Sequence, residues 1–460
     1  MRLKQVIKSQ LGPLLPLVPD RFRFGINHVK MSKVLADAES WDADRIKDFQ
    51  FIELKKLLIQ CWDYVPYYRK SWESQGIHPR DISSLDEINK LPFLDKKLIK
   101  ENLHSLSSTN IHKKHKILVT TGGSSGTPSQ LYKDRRANNN IEWAFIQHLW
   151  KQLGCSARTH RLVLRGPILH TTEKWIWNSS ENELICSTYH LDDEYMAIFL
   201  ERMKEYGVEA IHGHVSSIAT FAQYLVRKEI IFKLKVVLGS SERVFPFQRE
   251  LIKKAFGCRL YSWYGQTEQV VLAGEGRSSN EYYIFPQYGV TELVDESGDI
   301  ITASGIPGEI VGTGFLNYCM PLVRYRTGDI GVYADKDEDS VDNCYQRFQF
   351  IDGRSYEYVI TKDGVRVSLT GLIFGQHFAC FERIKKMQLL QDIPGFLQVT
   401  ICADENFNKA DEKEILDIIK DATDGKISVS FVYVSDIPLT KRGKHRFLIQ
   451  NISDSLVPLD

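Results

Sequence analysis

From residue 116 onward the chain alternates short β-branched runs with segments of helical period, and this pattern narrows its possible folds more than any other feature. KILVT (116–120), RLVLRG (161–166), EAIHG (209–213), KVVLGS (235–240) and CRLYSWYG (258–265) read as strands. Segments 191–206 and 215–229 between them carry apolar residues at helical spacing. Strands separated by helices predict α/β architecture with a substantial parallel sheet. Further on, VTELVD, GEIVGTG, FQFIDGR and YEYVITKDGVRVS are short, glycine-punctuated runs, which predict a smaller, mostly antiparallel β region. Ahead of the alternation, residues 44–75 have helical spacing, and 81–101 read as short, lysine-rich helices broken by Leu-Pro.

The last hundred residues read as a separate β/α module. LQVTICADE (397–405) and ISVSFVYV (427–434) predict strands. Between them, DEKEILDIIKDA (411–422) puts Ile415, Leu416, Ile418 and Ile419 on one face, with acids leading and a lysine trailing, as a helix dipole favours. A hinge is expected near 352–364. With 460 residues, two to four compact units are expected. A net charge of +1 favours neither nucleic acid nor a strongly acidic partner. Eight cysteines without a C-x-x-C pair argue against a disulfide framework or structural zinc and predict reduced, cytoplasmic surroundings. Pro13, Pro16 and Pro19 interrupt the apolar N-terminal patch, so it is not read as a signal peptide, and no run of ~18 apolar residues predicts a membrane span.

Chemistry concentrates in a few stretches. TTGGSSGTPS (120–129) follows the KILVT strand, and its glycines and hydroxyls can present backbone N–H groups to a phosphate; a plain surface loop is the other reading. It is neither a G-x-x-x-x-G-K-[ST] loop nor G-x-G-x-x-G. In YGQTE, an aromatic, a hydroxyl and a carboxylate at a strand end could stack a base, touch a phosphate and hold Mg²⁺, or could form an ordinary turn. In LVRYRTGDIG (322–331), Asp329 could accept ribose hydroxyls or simply occupy a turn. Arg354 lies in an Asp-Gly-Arg turn and Lys444 in a basic loop, PLTKRGKHRF (438–447).

In this order the stretches resemble the adenylate-forming superfamily of acyl-CoA synthetases, luciferase and peptide-synthetase adenylation domains. TTGGSSGTP is similar to that family's phosphate loop, YGQTE to its Tyr-Gly-x-Thr-Glu motif, YRTGD to its ribose signature, and PLTKRGKHR to its catalytic-lysine segment. VPYYR, LPFLDKKLIKENL (91–103) and LGSSERVFPFQRELIKKAFG (238–257) resemble the phenylacetate-CoA ligase-like branch, including the CapK group associated with surface-polysaccharide biosynthesis. One departure is plain: the family's loop usually carries a lysine soon after its proline, but Ser129 and Gln130 follow Pro128 here, and the nearest cation is Lys133.

The resemblance implies a large multi-layer N-terminal domain (1–352) with mainly parallel sheets and a β subregion. A small, mobile α+β lid (353–460) would carry Lys444. It implies ATP-dependent activation of a carboxylic acid as an acyl-adenylate, then transfer to a thiol, most simply coenzyme A. Thr121, Gly122, Gly123, Ser124, Ser125, Gly126 and Thr127 would cradle the phosphates of ATP. Thr267 would meet the α-phosphate, and Glu268 would hold Mg²⁺. Tyr264, with Gly265 following, would stack on adenine, and Gly239, Ser240 and Ser241 would line its other face. Asp329 would take the ribose hydroxyls, with Arg354 nearby. The acid would lie near Ile211, His212, Gly213, His214 and Trp263; either histidine could orient the carboxylate or simply pack at a strand end. Trp175 and Trp177 read as core or sheet-edge cover. Two further readings stay open: a ligase that passes the acyl group directly to a sugar, amine or carrier protein, and a non-catalytic nucleotide-binding protein.

Overall fold

The computed structural model describes residues 18–120, 130–135, 138–164, 174–188, 191–335, 344–354, 358–368, 380, 383–423, 425–439 and 446–452. Contacts group into two compact units, one of Leu14–Ser156 with Trp263–Gly353, the other of Ala157–Ser262 with Arg354–Asp460.

The first unit opens with helices α1 (Ile26–Ala38), α2 (Ala43–Tyr64) and α3 (Pro66–Ser74). Asp42 caps α2 by accepting from the Arg45 N–H at 2.8 Å, and the helix buries Ile46, Leu54, Leu57, Leu58 and Cys61. It ends before Pro66, which cannot continue the hydrogen-bond ladder but fits the first turn of α3. Strands β1 (Lys116–Thr120) and β2 (Gln130–Asp134) follow, then α4 (Asn138–Gln152). β1 does not join a parallel sheet as the alternation suggested. It pairs antiparallel with β2, Ile117 opposite Lys133, because the linking segment 121–129 is too short for a parallel crossover.

The second unit holds the alternating region. Strands β3 (Arg161–Leu164), β4 (Trp175–Asn178) and β5 (Glu183–Cys186) precede helix α5 (Asp193–Glu205). Then come β6 (Ala210–His214), α6 (Val215–Arg227), β7 (Val236–Ser240) and α7 (Pro246–Phe256). The strand order is β7-β6-β3-β5-β4, parallel except at the last pairing, where β4 runs antiparallel to β5. β3, β6 and β7 are buried along their whole length, as expected of parallel strands covered by helices. Trp175 and Trp177 lie on the outermost strand, where Trp177 stacks on Tyr206 at 4.4 Å.

β8 (Leu260–Gly265) returns the chain to the first unit, which continues through β9 (Leu272–Glu275), β10 (Tyr282–Ile284), β11 (Gly289–Val294), β12 (Ile300–Ile301), β13 (Pro307–Gly314), β14 (Tyr325–Tyr333) and β15 (Arg347–Arg354). The order is β12-β11-β13-β14-β15-β10-β9-β8; the expected antiparallel β region appears here, and β8, read from sequence with the alternating strands, pairs antiparallel with β9. Its core joins α2 and α3 to Val270, Val271, Leu293, Ile310 and Phe348. A buried ion pair locks the region: Arg324 donates to both Glu292 oxygens at 3.2 and 3.1 Å and to the Asn89 and Leu91 carbonyls, and its guanidinium lies 4.0 Å from the Phe93 ring centroid.

The C-terminal module follows in the second unit. β16 (Tyr358–Ile360) and β17 (Arg366–Ser368) form a hairpin. β18 (Ile384–Gln391), β19 (Phe396–Ala403), β20 (Ser428–Tyr433) and β21 (Leu448–Gln450) form a sheet ordered β20-β19-β18-β21, with α8 (Lys409–Ala422) after β19. The predicted strand, helix and strand all appear here. Asn408 and Asp411 form a capping box at the start of α8, and Arg383 donates to Asp411. None of the eight cysteines is in a disulfide; Cys258 is half-buried, Cys344 exposed and the others buried. Among the described residues, no helix is long and apolar enough to cross a membrane.

Candidate active site

In the first unit, β8 delivers Trp263, Tyr264 and Gly265 to its C-terminal end, and the chain then turns sharply. The Gln269 N–H donates to the Gln266 carbonyl at 3.1 Å, and Gln269 has a left-handed φ of 59°. Gly314 packs so closely under this turn that a Cβ there would lie 2.2 Å from the Gln269 oxygen, so glycine is required. Tyr264 is half-buried, and its hydroxyl donates to Asp329 Oδ2 at 2.6 Å. Gln266 Nε2 in turn donates to the same hydroxyl at 2.6 Å. Burial, reinforced by the Asp329 charge, pushes the phenol well above its ordinary value, so it remains a donor.

Asp329 reaches this position through an irregularity in β14. The β13–β14 register shifts between Glu309 and Val311, a bulge that re-aims side chains. Gly328 takes φ 77°, and its N–H donates to Glu309 Oε1 at 3.0 Å. Arg326 Nε donates to the other Glu309 oxygen at 2.7 Å. Thr327 Oγ1 donates to the Ile310 carbonyl at 2.7 Å and accepts from the Asp329 N–H at 3.0 Å. Arg326, Thr327 and Gly328 of the YRTGD run thus hold the turn that carries Asp329.

A second cluster surrounds Glu268, which is 8% exposed. Tyr325 donates to Glu268 Oε1 at 3.2 Å. Lys133 of β2 is equally buried, and both Glu268 and Glu142 of α4 act on it electrostatically. Glu142 is itself pinned: Tyr288 donates to its Oε1 and Gln269 to its Oε2, each at 2.8 Å. Burial lowers the Lys133 ammonium from its ordinary value, and the two carboxylates oppose that shift. Thr267 lies half-buried between the Tyr264 and Glu268 groups. On the neighbouring face Trp263 meets Trp150 edge-on at 6.0 Å, and Trp150 meets Trp143 at 5.1 Å.

The other expected residues lie in the second unit. His212 and His214 are buried on β6. Gly213 is required by packing, since a Cβ would meet the Leu164 carbonyl oxygen at 2.5 Å. At the end of β7 Gly239 and Ser240 are buried, and Ser241 takes φ 67°. Glu242, next along, accepts from the Ser216 N–H at 2.8 Å and the Ser216 hydroxyl at 3.1 Å, holding the N-terminus of α6.

The structure thus brings Trp263, Tyr264, Gly265, Thr267, Glu268 and Asp329 into one unit, and His212, Gly213, Gly239, Ser240 and Ser241 into the other. Thr121 to Thr127 and Lys444 lie outside the described residues, and Arg354 is described only as the last backbone position of β15. Sequence reasoning missed Glu142, Gln269, Tyr288 and Tyr325. Glu142 did leave a signal: it falls three and seven positions before the buried Phe145 and Leu149, a charge on the apolar face of its helix. Among the described residues no group of three or more His, Cys, Asp or Glu could hold a metal. Glu268, with one oxygen engaged by Tyr325, fits a single hard ligand for an ion that takes its remaining ligands from phosphate and water.

Comparison with known proteins finds relatives of both the C-terminal module and the longer chain. Residues 359–451 match the CapK C-terminal domain. Protein CapK of Staphylococcus aureus is 24% identical over 85% of this chain and 87% of its own length. The phenylacetate-coenzyme A ligase of Escherichia coli K12 is 22% identical over 72% of this chain and 75% of its own. A crystal structure of 2-hydroxyisobutyryl-CoA ligase in the postadenylation state superposes with a TM-score of 0.70 at 16% identity, covering 90% of this chain and 91% of that one.

Proposed function

Because the chain belongs to the adenylate-forming superfamily, on its phenylacetate-CoA ligase-like and CapK branch, we propose that it is an AMP-forming ligase that activates a carboxylic acid with ATP and passes the acyl group to coenzyme A. The single observation that carries this reading furthest is the Tyr264–Asp329 hydrogen bond of 2.6 Å. It fixes a carboxylate beside an aromatic ring, next to a strand bulge, where it can accept hydroxyls from a nucleotide ribose.

The chemistry divides into two transfers. In the first, a carboxylate oxygen of the acid attacks the α-phosphorus of ATP, the bond to the β-phosphate oxygen breaks, and pyrophosphate leaves. In the second, a thiolate attacks the acyl carbon and AMP departs with the bridging oxygen. Both are mainly problems of positioning and charge, since two anions must meet. Thr121 to Thr127 would cradle the β- and γ-phosphates. Thr267 would contact the α-phosphate, and Tyr264 would present its ring to adenine while its hydroxyl holds Asp329. Mg²⁺, bound at Glu268, would supply charge neutralisation. Lys444 would bridge the acid's carboxylate and the α-phosphate as a mobile cation.

The lid boundary at 352–353 and a cytoplasmic setting belong to the same reading; eight cysteines outside any disulfide support the latter. A role in surface-polysaccharide biosynthesis belongs to the same reading and rests on the resemblance of VPYYR, LPFLDKKLIKENL and LGSSERVFPFQRELIKKAFG to the CapK group. The test is carboxylate-dependent ATP–pyrophosphate exchange over a broad panel of acids, with Lys444→Ala as control. One acid should support exchange, and the variant should lose ~10²–10³ in rate. Exchange undiminished in the variant would remove Lys444 from the mechanism. Release of AMP that does not depend on coenzyme A would replace the thiol with another acceptor.

A further inference from the structure

Thr267 and Glu268 lie between two glutamines, and each glutamine is anchored by its side chain. Gln266 Nε2 donates to the Tyr264 hydroxyl at 2.6 Å, and its Oε1 accepts from the Val271 N–H at 3.3 Å. Gln269 is 1% exposed, and its Nε2 donates to Glu142 Oε2 at 2.8 Å. The left-handed φ of 59° at Gln269 is uncommon for a residue with a Cβ and persists only where the surroundings fix it. This conformation reverses the chain immediately after Glu268, and the Gln269 N–H closes the turn on the Gln266 carbonyl. Glu142 supplies a fixing bond from outside the turn, from α4, 127 positions earlier in the chain. Tyr288 steadies Glu142 in turn, its hydroxyl donating to Oε1 at 2.8 Å. Tyr288 is fully buried, and its ring meets Phe145 of α4 edge-on at 5.2 Å. Its carbonyl accepts from the Phe315 N–H at 2.9 Å, next to the Gly314 that packs beneath Gln269. Glu142 is thus a strut between α4 and the turn, braced at both oxygens.

We propose that Glu142 is a positioning residue for the turn that presents Thr267 and Glu268, and that it acts through the side chain of Gln269. What those two residues meet, an α-phosphate and Mg²⁺, rests on the adenylation reading. Without the strut, Gln269 can relax toward the right-handed backbone that residues with a Cβ prefer, a rotation of about 120° in φ. A rotation of that size re-aims the neighbouring side chain, Glu268, whose Oε1 now takes the Tyr325 hydroxyl at 3.2 Å. A carboxylate suits the task because a hydrogen bond to an ionised acceptor is roughly twice as strong as a neutral one. This also gives the charge on the apolar face of α4 a purpose. With both oxygens engaged by buried protein donors, Glu142 shapes the site while Thr267 and Glu268 make the contacts.

The experiment measures amide hydrogen exchange of residues 266–271 in the full chain, alongside calorimetric binding of ATP with and without Mg²⁺. The proteins are wild type, Glu142→Ala, Gln269→Ala, Gln269→Gly, and each Gln269 variant combined with Glu142→Ala. Glu142→Ala and Gln269→Ala should each speed exchange at 266–271 by ~10- to 100-fold, the range for losing a hydrogen bond to a charged group. The gain in ATP affinity on adding Mg²⁺ should shrink by a similar factor. Glycine adopts a left-handed φ without a Cβ penalty, so Gln269→Gly should keep more of that gain than Gln269→Ala. In either Gln269 background, Glu142→Ala should change the Mg²⁺ gain by less than about twofold, because the bond it acts through is already gone. Should Glu142→Ala fail to fold, Tyr288→Phe, which leaves Glu142 with one anchor, should give a smaller loss in the same direction and the same dependence on Gln269. A residue that only supports the fold would add its full effect in the Gln269 backgrounds and speed exchange throughout the unit; either result would overturn the assignment. So would unchanged protection at 266–271 in Glu142→Ala. A wild type that binds no ATP, with protection at 266–271 still lost in Glu142→Ala, would uphold the strut and refute the adenylation reading.

Discussion

Replacing Tyr264 with phenylalanine isolates one link in the proposed nucleotide site. The substitution keeps the ring, and with it any stacking on a base, and deletes only the hydroxyl. Two bonds go: the 2.6 Å donation to Asp329 and the 2.6 Å donation from Gln266. A hydrogen bond to a charged group contributes about 1.5–3 kcal/mol. Asp329 keeps the backbone bulge that places it, so only part of that reaches the ligand, about 1–2 kcal/mol. That amounts to roughly 5- to 30-fold in affinity at about 1.4 kcal/mol per tenfold. The assay compares ATP with 2′,3′-dideoxy-ATP, which lacks the groups that Asp329 would bind. Tyr264→Phe should weaken ATP by that factor and leave the dideoxy analogue almost unaffected. Pyrophosphate binding should not move. An equal loss for both nucleotides would show that the hydroxyl supports the fold or the base, and that Asp329 does not read the ribose.

Other expectations bear on chemistry and on stability. Glu268→Gln should remove most Mg²⁺ dependence from ATP binding while leaving AMP binding near wild type, measured by titration with and without the metal. Arg324→Met should destabilise the chain by about 3–5 kcal/mol in denaturant melts, because it strands Glu292, itself 4% exposed, as a buried lone charge. Asp411→Ala removes both the α8 capping box and the Arg383 pair, and should cost about 1–3 kcal/mol in the transition that reports on the C-terminal module. Lys133 gives a pH signature. Its ammonium titrates below lysine's ordinary range because burial disfavours the charged form. Above that lowered value the unfolded chain still binds the proton that the native chain has released. Wild type should therefore gain on Lys133→Met as pH rises toward the ordinary lysine range. A flat difference between the two across alkaline pH would show that Lys133 is not desolvated.

Much of the architecture was legible because it depends on local pattern. The helices at 43–64, 193–205, 215–227 and 409–422 announce themselves through apolar period and through caps such as Asp42, Asp192 and Asn408. β6 and β7 show through the short apolar stretches Ala210–Ile211 and Val236–Leu238, and both strands are buried along their whole length. The partner of β1 was hidden because pairing depends on where the following segment can reach. WIWN and ELIC, strands β4 and β5, were missed because four residues carry little period. Within the site, Tyr264, Glu268 and Asp329 stood out by motif, but the contact between Tyr264 and Asp329 spans 65 positions and no spacing predicts it. Lys133 and Glu142 belong to no motif. What marks them is that charge occupies apolar positions, which becomes meaningful only once a strand and a helix are seen to face Glu268.

The distribution of thiols has a practical consequence. Cys61, Cys155, Cys186, Cys319, Cys380 and Cys402 are buried, and burial raises the thiols of Cys61, Cys186, Cys258, Cys380 and Cys402, suppressing the thiolate that reacts. Cys344 alone of the eight is exposed. A maleimide dye at limiting concentration should therefore tag this natural sequence at one position, beside Tyr345 and ahead of β15, without any engineered cysteine. A second dye on an introduced thiol in the C-terminal module would make a ruler, able to follow single molecules as ATP, acid and acceptor are added in turn.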